Sequence, residues 1–119
     1  MTISLSQVVF DCRNAAELAA FYGLVLHRAV DAEAAPEFAT VGLRGEDRLA
    51  TGLMFIQVPE DRVGKNRLHI DLLSSDAESD IARAIGAGGE RVADFDEYGA
   101  RWTTLRDPEG NLFDISHDG

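Results

Sequence analysis

Near the carboxyl end of the chain, the stretch RDPEGNLFDIS (residues 106–116) predicts a tight turn followed by a strand. Residues 107–110 place Asp, Pro and Gly at the first, second and fourth positions of a type I turn, which favours these residue types there. The turn predicts a hairpin whose second strand covers residues 111–117. Asp114 lies in the middle of this apolar strand, which raises the question of which face of the sheet carries its carboxylate.

Upstream of this stretch, the order of strand and helix is repeated. In the first half, the β-forming residues 7–12 precede Asn14, an N-cap residue with Glu17 three positions later. In the second half, residues 69–74 precede Asp76, another N-cap residue. Each predicted helix then carries an apolar stripe at the spacing of an amphipathic helix. The stripes are Leu18, Phe21, Tyr22 and Val25 in the first half and Ala77, Ile81, Ala84 and Ile85 in the second.

Each helix is followed by segments that predict short strands. In the first half these cover about 37–43 and 49–58, with a further short strand near 28–31. In the second half they cover about 90–95, 101–106 and 111–117. Turn-forming residues separate the strands at 45–47, 98–99 and 107–110, and residues 59–66 form the predicted linker between the halves. The chain therefore predicts an α+β fold with the order β-α-β-β-β in each half.

The composition limits the class of protein. With 119 residues, 45% of them hydrophobic and 27% charged, the chain suits one globular domain. Its 21 acidic and 11 basic residues give a formal net charge of -10, which disfavours nucleic acid and anionic membranes as partners. The lone Cys12 excludes an internal disulfide and a Cys-rich zinc site. Since the sequence has neither a long apolar run nor the features of a signal peptide, we expect a cytoplasmic protein.

Four stretches together carry a resemblance to a known superfamily. They are VVFDC at 8–12, AAELAAFYGLVL at 15–26, KNRLHIDL at 65–72 and RWTTLRDPEGNLFDIS at 101–116. With them the chain resembles the vicinal oxygen chelate superfamily of glyoxalase I, bleomycin-resistance proteins and extradiol dioxygenases, and in particular its small glyoxalase-like bacterial domains. The resemblance implies two βαβββ modules that form a curved mixed sheet around an open cleft. It makes residues 1–119 a single glyoxalase-like domain, with module one at about 1–62 and module two at about 63–119.

Strand alternation then predicts which side chains face the cleft. Ile70 and Leu72 suit the face that packs on a helix, which leaves His69 and Asp71 on the other face. The same alternation puts Gln7, Val9 and Asp11 of the first module on the cleft face, with Asp114 on that face in the last strand. The carboxylate of Asp114 is thereby explained as a cleft residue.

The resemblance also implies a set of metal ligands, because metal-binding relatives take one ligand from the first and one from the last strand of each module. Carried over by position, the ligands are Gln7, His69, Asp114 and Gln57. The alternative is Ile56 in place of Gln57, which results when Gly52 of module one is aligned with Gly110 of module two. Such a set would hold one divalent ion, namely zinc, nickel, cobalt, manganese or iron. Amides are weak ligands and Asp is shorter than the Glu of the relatives, so a metal-free protein stays an open alternative.

Two functions follow from the resemblance. With a metal, the protein is a glyoxalase-like lyase or isomerase, or a dioxygenase relative, that acts on a substrate with two adjacent oxygens, with Asp114 or Asp71 as the base. Without one, it is a non-catalytic binding protein of the bleomycin-resistance type that sequesters a drug or metabolite. Either function predicts a small-molecule partner, and relatives suggest a homodimer.

A binding cleft needs wall residues, and the sequence offers aromatic and acidic candidates. Trp102, Phe55, Phe38 and Tyr98 are the predicted aromatic walls, and Asp11 is a further predicted contact. For Trp102 and Phe55 the alternative is a place in the core of the sheet.

Overall fold

The computed structural model of the protein describes residues 2–45 and 48–118. Along the chain, the helices and strands are β1 Gln7–Cys12, α1 Ala15–Val25, β2 Phe38–Val41, β3 Gly52–Gln57, β4 Asp71–Ser74, α2 Ala77–Gly86, β5 Glu90–Glu97, β6 Ala100–Arg106 and β7 Leu112–His117. The chain divides into a first unit that ends at Asp61 and a second unit that begins at Arg62. No helix in the described part of the chain is long and apolar enough to cross a membrane.

The first unit is a three-stranded sheet with α1 packed on β2 and β3. Its strand order is β1-β3-β2, with β1 parallel and β2 antiparallel to β3. The predicted N-cap is confirmed, because the side chain of Asn14 accepts a hydrogen bond from the backbone N–H of Glu17. All four residues of the predicted helical stripe are buried.

The extra strand predicted near residues 28–31 is wrong. Asp31 donates one backbone hydrogen bond to the carbonyl of Thr40, but no strand forms there. Its carboxylate oxygen Oδ2 instead accepts from the Thr40 hydroxyl at 2.7 Å and from the backbone N–H groups of Leu43 at 2.9 Å and Arg44 at 3.1 Å. The Asp31 side chain therefore binds backbone N–H groups of the loop that follows β2, and the described first unit reads βαββ. The turn predicted at 45–47 includes Glu46 and Asp47, which lie outside the described residues.

The carboxylate of Asp31 should make the first unit sensitive to acid. Burial alone would raise the pKa of Asp31, but the hydrogen bonds from Thr40, Leu43 and Arg44 lower it below its ordinary value of 3.8. A lowered carboxyl pKa stabilises the fold above the ordinary value, and this stability is lost as the pH falls through the lowered pKa. We therefore expect Asp31→Asn to reduce the free energy of unfolding by about 1 to 2 kcal/mol at pH 7 and by less at pH 3.

Urea unfolding of the wild type and Asp31→Asn at the two pH values measures this difference. Glu37→Gln, which removes an exposed carboxylate of the same unit, is the control and should change little at either pH. A loss of stability in Asp31→Asn that is as large at pH 3 as at pH 7 would contradict the stated role of the carboxylate.

The second unit has the predicted βαβββ order. Its strand order is β4-β7-β6-β5, with β4 parallel to β7 and the other neighbours antiparallel. The Asp76 side chain accepts from the backbone N–H of Ser79, which confirms the second N-cap. Of the predicted stripe on α2, Ile85 is 44% exposed and lies outside the core. Strand β4 begins at Asp71, so His69 precedes the strand rather than opening it.

The predicted turn at 107–110 joins β6 to β7 as a hairpin. Asp107 is buried, and its Oδ1 accepts hydrogen bonds from the backbone N–H groups of Glu109 at 2.9 Å and Asn111 at 3.0 Å. Gly110 has a φ of 93°, which a residue with a Cβ rarely adopts. The turn therefore sets the register of β7, the strand that carries Asp114.

Candidate functional site

Three residues singled out by the sequence lie together on the second sheet. The ladder places Asp71 of β4 directly opposite Asp114 of β7. On β7 the alternate residues Phe113 and Ile115 are buried on the side of α2, so Asp114 lies on the opposite face, here called the open face of the second sheet. His69 lies two residues before Asp71 and contacts both carboxylates. These three residues are called the His69 cluster below.

The His69 cluster is tight and accessible. The Nε2 atom of His69 lies 3.3 Å from Oδ1 of Asp71 and 3.4 Å from Oδ2 of Asp114. One ligand atom from each residue lies within 4.8 Å of the other two. The side chain of Asp114 is 15% exposed, whereas those of His69 and Asp71 are 48% and 62% exposed. The arrangement can present an imidazole nitrogen and two carboxylate oxygens to one ion or one substrate.

The two carboxylates of the cluster repel each other. Partial burial raises the pKa of Asp71, and the negative charge of Asp114 raises it further, while His69 acts in the opposite direction. A proton or a bound cation would relieve this repulsion.

Two residues that sequence reasoning did not select hold the cluster in place. The hydroxyl of Thr104 on β6 donates to Oδ1 of Asp114 at 2.6 Å. Asn66 ties the segment before His69 to β7, because its Oδ1 accepts from the N–H of Leu112 at 2.9 Å and its Nδ2 donates to the carbonyl of Leu112 at 3.2 Å. The predicted hairpin was the signal that could have identified Thr104, since it pairs Thr104 with Asp114.

The first unit contributes different chemistry. Gln7 and Asp11 of β1 pair with Gly52 and Ile56 of β3, and these residues share one face. Val9 lies two residues after Gln7 and pairs with Met54. In the second unit, Asp71 lies two residues after His69 and pairs with Asp114. With Gln7 aligned on His69, the position that corresponds to Asp114 is therefore Met54, neither Gln57 nor Ile56.

The assignment of Gln57 as a metal ligand is corrected by this register. Alternation along β3 puts Gln57 on the same side as the buried Phe55, opposite to the face that carries Gln7. Its Nε2 donates to the backbone carbonyl of Arg13 at 2.8 Å, so the side chain closes the end of the strand.

The predicted wall residue Phe55 is also corrected, because it belongs to the core. Its side chain is fully buried, and its ring stacks on those of Phe10 and Tyr22 with centroid distances of 5.0 and 5.9 Å. Phe38 pairs with Ile56 and lies half-buried on the Gln7 face, with the guanidinium of Arg44 5.8 Å from its ring centroid. It is therefore accessible in part.

Trp102 and Tyr98 lie in the hairpin of β5 and β6. Trp102 is half-buried and pairs with Ser116, which shares the open face with Asp114. Its ring stacks on that of Phe95 with a centroid distance of 5.2 Å and an interplanar angle of 16°. Tyr98 is 97% exposed at the hairpin tip. The stacked pair gives the open face of the second sheet an aromatic surface on β5 and β6, next to the strand β7 that carries Asp114.

Comparisons with known proteins agree with this fold. A profile of the glyoxalase-like domain family matches residues 7–116. No curated protein matches the chain at a significant level. A glyoxalase/bleomycin resistance protein/dioxygenase family enzyme from Burkholderia phytofirmans superposes with a TM-score of 0.78 at 20% identity, over 97% of this chain and 98% of that one.

Two further solved structures of this fold belong to proteins with a known ligand or role. A mutant of the fosfomycin resistance protein FosX from Listeria monocytogenes, complexed with Mn(II) and 1S,2S-dihydroxypropylphosphonic acid, has a TM-score of 0.77 at 11% identity, over 100% of this chain and 93% of that one. TnmS3, an antibiotic binding protein from Streptomyces sp. CB03234, has a TM-score of 0.69 at 19% identity, over 100% and 99%. At these identities the likeness establishes the fold.

Proposed function

Because this chain belongs to the glyoxalase-like domain family, we propose that it is a divalent-metal-dependent enzyme that acts on a small molecule with two adjacent oxygen atoms. The resemblance to the vicinal oxygen chelate superfamily is confirmed by the family match and by the solved structures of the same fold. The fold hosts resistance proteins and antibiotic-binding proteins alike, so the site must decide the function. The His69 cluster carries the proposal, since its three ligand atoms lie within 4.8 Å of one another.

The donor set of the cluster fits a divalent ion. Imidazole nitrogen and carboxylate oxygen are ligands for manganese, iron and zinc. Asp71 and Asp114 face each other across the ladder. Partial burial and then the charge of Asp114 raise the pKa of Asp71, and a cation beside the two carboxylates would offset their repulsion. The FosX relative with Mn(II) makes manganese the first ion to test.

The residues of the cluster divide into ligands and a base. His69 and Asp114 would hold the ion, because Asp114 is the less exposed carboxylate and its Oδ1 is fixed by Thr104. When bound, the ion would supply Lewis-acid stabilisation to the two substrate oxygens. Asp71, the more exposed of the two carboxylates, would accept the proton that the substrate loses. The Phe95–Trp102 pair would cover an apolar part of the substrate.

Metal content and turnover test the proposal together. The protein is incubated anaerobically with zinc, nickel, cobalt, manganese and iron(II), dialysed, and measured by mass spectrometry. It is then assayed with fosfomycin, vicinal diols and α-hydroxy ketones. We expect about one ion per chain and consumption of at least one class of compound that stops when the ion is chelated. A wild-type chain that retains none of the five ions overturns the metal-dependent function.

Replacing the base should affect turnover far more than metal binding. With the substrate found in this screen, Asp71→Asn is expected to lower kcat about 100-fold, since a positioned general base contributes at least that factor. Asp96→Asn on β5 is the control and should keep wild-type kcat. An unchanged kcat in Asp71→Asn would remove the base role.

A second function is favoured by the first unit, where Met54 lies at the position that corresponds to Asp114. On that reading the protein sequesters a ligand without catalysis, as the antibiotic binding relative TnmS3 binds its antibiotic. The exposed edge of the Phe95–Trp102 pair suits an aromatic ligand. Ligand affinity that persists after chelation, in a protein that shows no turnover, would select this function.

Two expectations about the setting of the protein stay predictions. Homodimer formation is tested by sedimentation of the purified chain, and the cytoplasmic location by fractionation of cells that express it.

A further inference from the structure

We propose that Thr104 is a positioning residue that presents Oδ2 of Asp114 to the metal ion, an inference that rests on the metal-dependent function proposed above. Thr104 lies on β6, directly opposite Asp114 in the antiparallel ladder. Its hydroxyl donates to Oδ1 of Asp114 with an oxygen–oxygen distance of 2.6 Å. Thr104 thus contacts a ligand of the proposed ion rather than the ion itself.

The hydrogen bond decides which oxygen of Asp114 is presented. With Oδ1 engaged by the hydroxyl, the other oxygen, Oδ2, lies on the side of His69, 3.4 Å from its Nε2. The terminal torsion of an aspartate is broad, so a carboxylate without such a partner can rotate. A threonine is stiff at its first side-chain torsion, which makes it a better anchor than a flexible donor.

Anchoring matters more for aspartate than for a longer ligand. The resemblance to metal-binding relatives implies glutamate at the position of Asp114, and aspartate has one methylene less with which to adjust its reach. Metal–ligand distances are specified to about 0.2 Å, so a shorter side chain depends on being aimed by its surroundings. Partners of this kind, which orient a ligand, change metal affinity by about 10- to 100-fold when they are removed.

The chain offers a matched control next to Thr104. Thr103 is the adjacent residue on the same strand, and its hydroxyl donates to Oδ1 of Asp94 at 2.8 Å. It faces the helix side of the sheet, where it is buried, and so it holds an aspartate that is not part of the His69 cluster. Thr103→Val removes the same hydroxyl and the same kind of hydrogen bond as Thr104→Val, but on the helix side of the sheet instead of the open face.

The test compares Mn²⁺ binding and the visible spectrum of bound Co²⁺ in four proteins. These are the wild type, Thr104→Val, Thr104→Ser and Thr103→Val. We expect Thr104→Val to bind Mn²⁺ about 10-fold more weakly and to alter the Co²⁺ spectrum, which reports the ligand geometry. Thr104→Ser keeps the hydroxyl and should stay within about threefold of the wild type, and Thr103→Val should leave both readouts unchanged.

The outcomes separate this inference from the proposed function. If the wild type binds Mn²⁺ and Thr104→Val binds it equally well with the same Co²⁺ spectrum, Thr104 is not a positioning residue, while the metal site stands. If Thr103→Val weakens binding as much as Thr104→Val, the effect is a general loss of sheet stability and the inference is again overturned. If the wild type binds neither ion, the metal function itself is wrong and the inference is overturned with it. Should Thr104→Val fail to fold, Thr104→Ala decides, because it also removes the hydroxyl, and Mn²⁺ binding as tight as in the wild type would there contradict the proposal.

Discussion

Replacing His69 by alanine is expected to leave the protein without bound metal and without turnover. His69 supplies the imidazole of the cluster, and its Nε2 lies within 3.4 Å of an oxygen of each carboxylate. Without it, two aspartates of a partly exposed site remain, and acidic side chains alone hold a transition metal weakly. We expect Mn²⁺ affinity to fall at least about 100-fold, measured by equilibrium dialysis, with metal-dependent turnover below detection.

His117→Ala is the control for this experiment. His117 lies on β7 in the same unit, three residues after Asp114, and alternation directs it to the side of the buried Phe113 and Ile115. Its loss should leave metal affinity unchanged. A His69→Ala protein that keeps its metal and its activity would remove the cluster from the function.

The second large effect is a loss of folding stability, which we expect from replacing Phe55 by alanine. Its fully buried ring packs against those of Phe10 and Tyr22, so Phe55→Ala removes one of the three rings of the aromatic core of the first unit. We expect a loss of about 3 to 5 kcal/mol in the free energy of unfolding, measured by chemical denaturation.

Trp102→Ala separates a core role from a wall role. Trp102 is half-buried on the second sheet, so its truncation should cost clearly less stability than that of Phe55 while weakening the binding of an aromatic ligand. The reverse result, with Phe55→Ala stable and impaired in ligand binding, would show that Phe55 lines the site after all.

Local signals predicted much of this fold correctly. The caps at Asn14 and Asp76 are formed by neighbouring residues alone, and both helices begin where the caps place them. The turn at 107–110 is equally local, and it fixes the hairpin that carries Asp114. At both caps and at this turn, the prediction needed only residues close in the chain, and it was confirmed.

The wrong predictions depended on which face of a strand is buried. Strand β3 reads GLMFIQ and is apolar on both sides, so alternation could not show that Phe55 lies in the core and Met54 on the other face. Aligning Gly52 with Gly110 assumed equal spacing in the two halves, whereas the ladder register gives Met54 as the counterpart of Asp114. Register is a tertiary property, and one misplaced residue exchanges the faces.

The extra strand near 28–31 failed for a different reason. A β-forming pattern cannot anticipate that the carboxylate of Asp31 will accept the hydrogen bonds of the neighbouring loop. Thr104 was missed because threonine is neither a common metal ligand nor a common base. Its hydroxyl donates to Asp114 instead. Residues that act through another residue emerge only when the strands are paired.

Anomalous X-ray diffraction from crystals of the protein grown with Mn²⁺ tests the central claim most directly. We expect one strong anomalous peak at the His69 cluster, within direct coordination distance of Nε2 of His69 and of a carboxylate oxygen of Asp114. A structure at saturating Mn²⁺ with no peak at the cluster, or with its only peak at other residues, would contradict it.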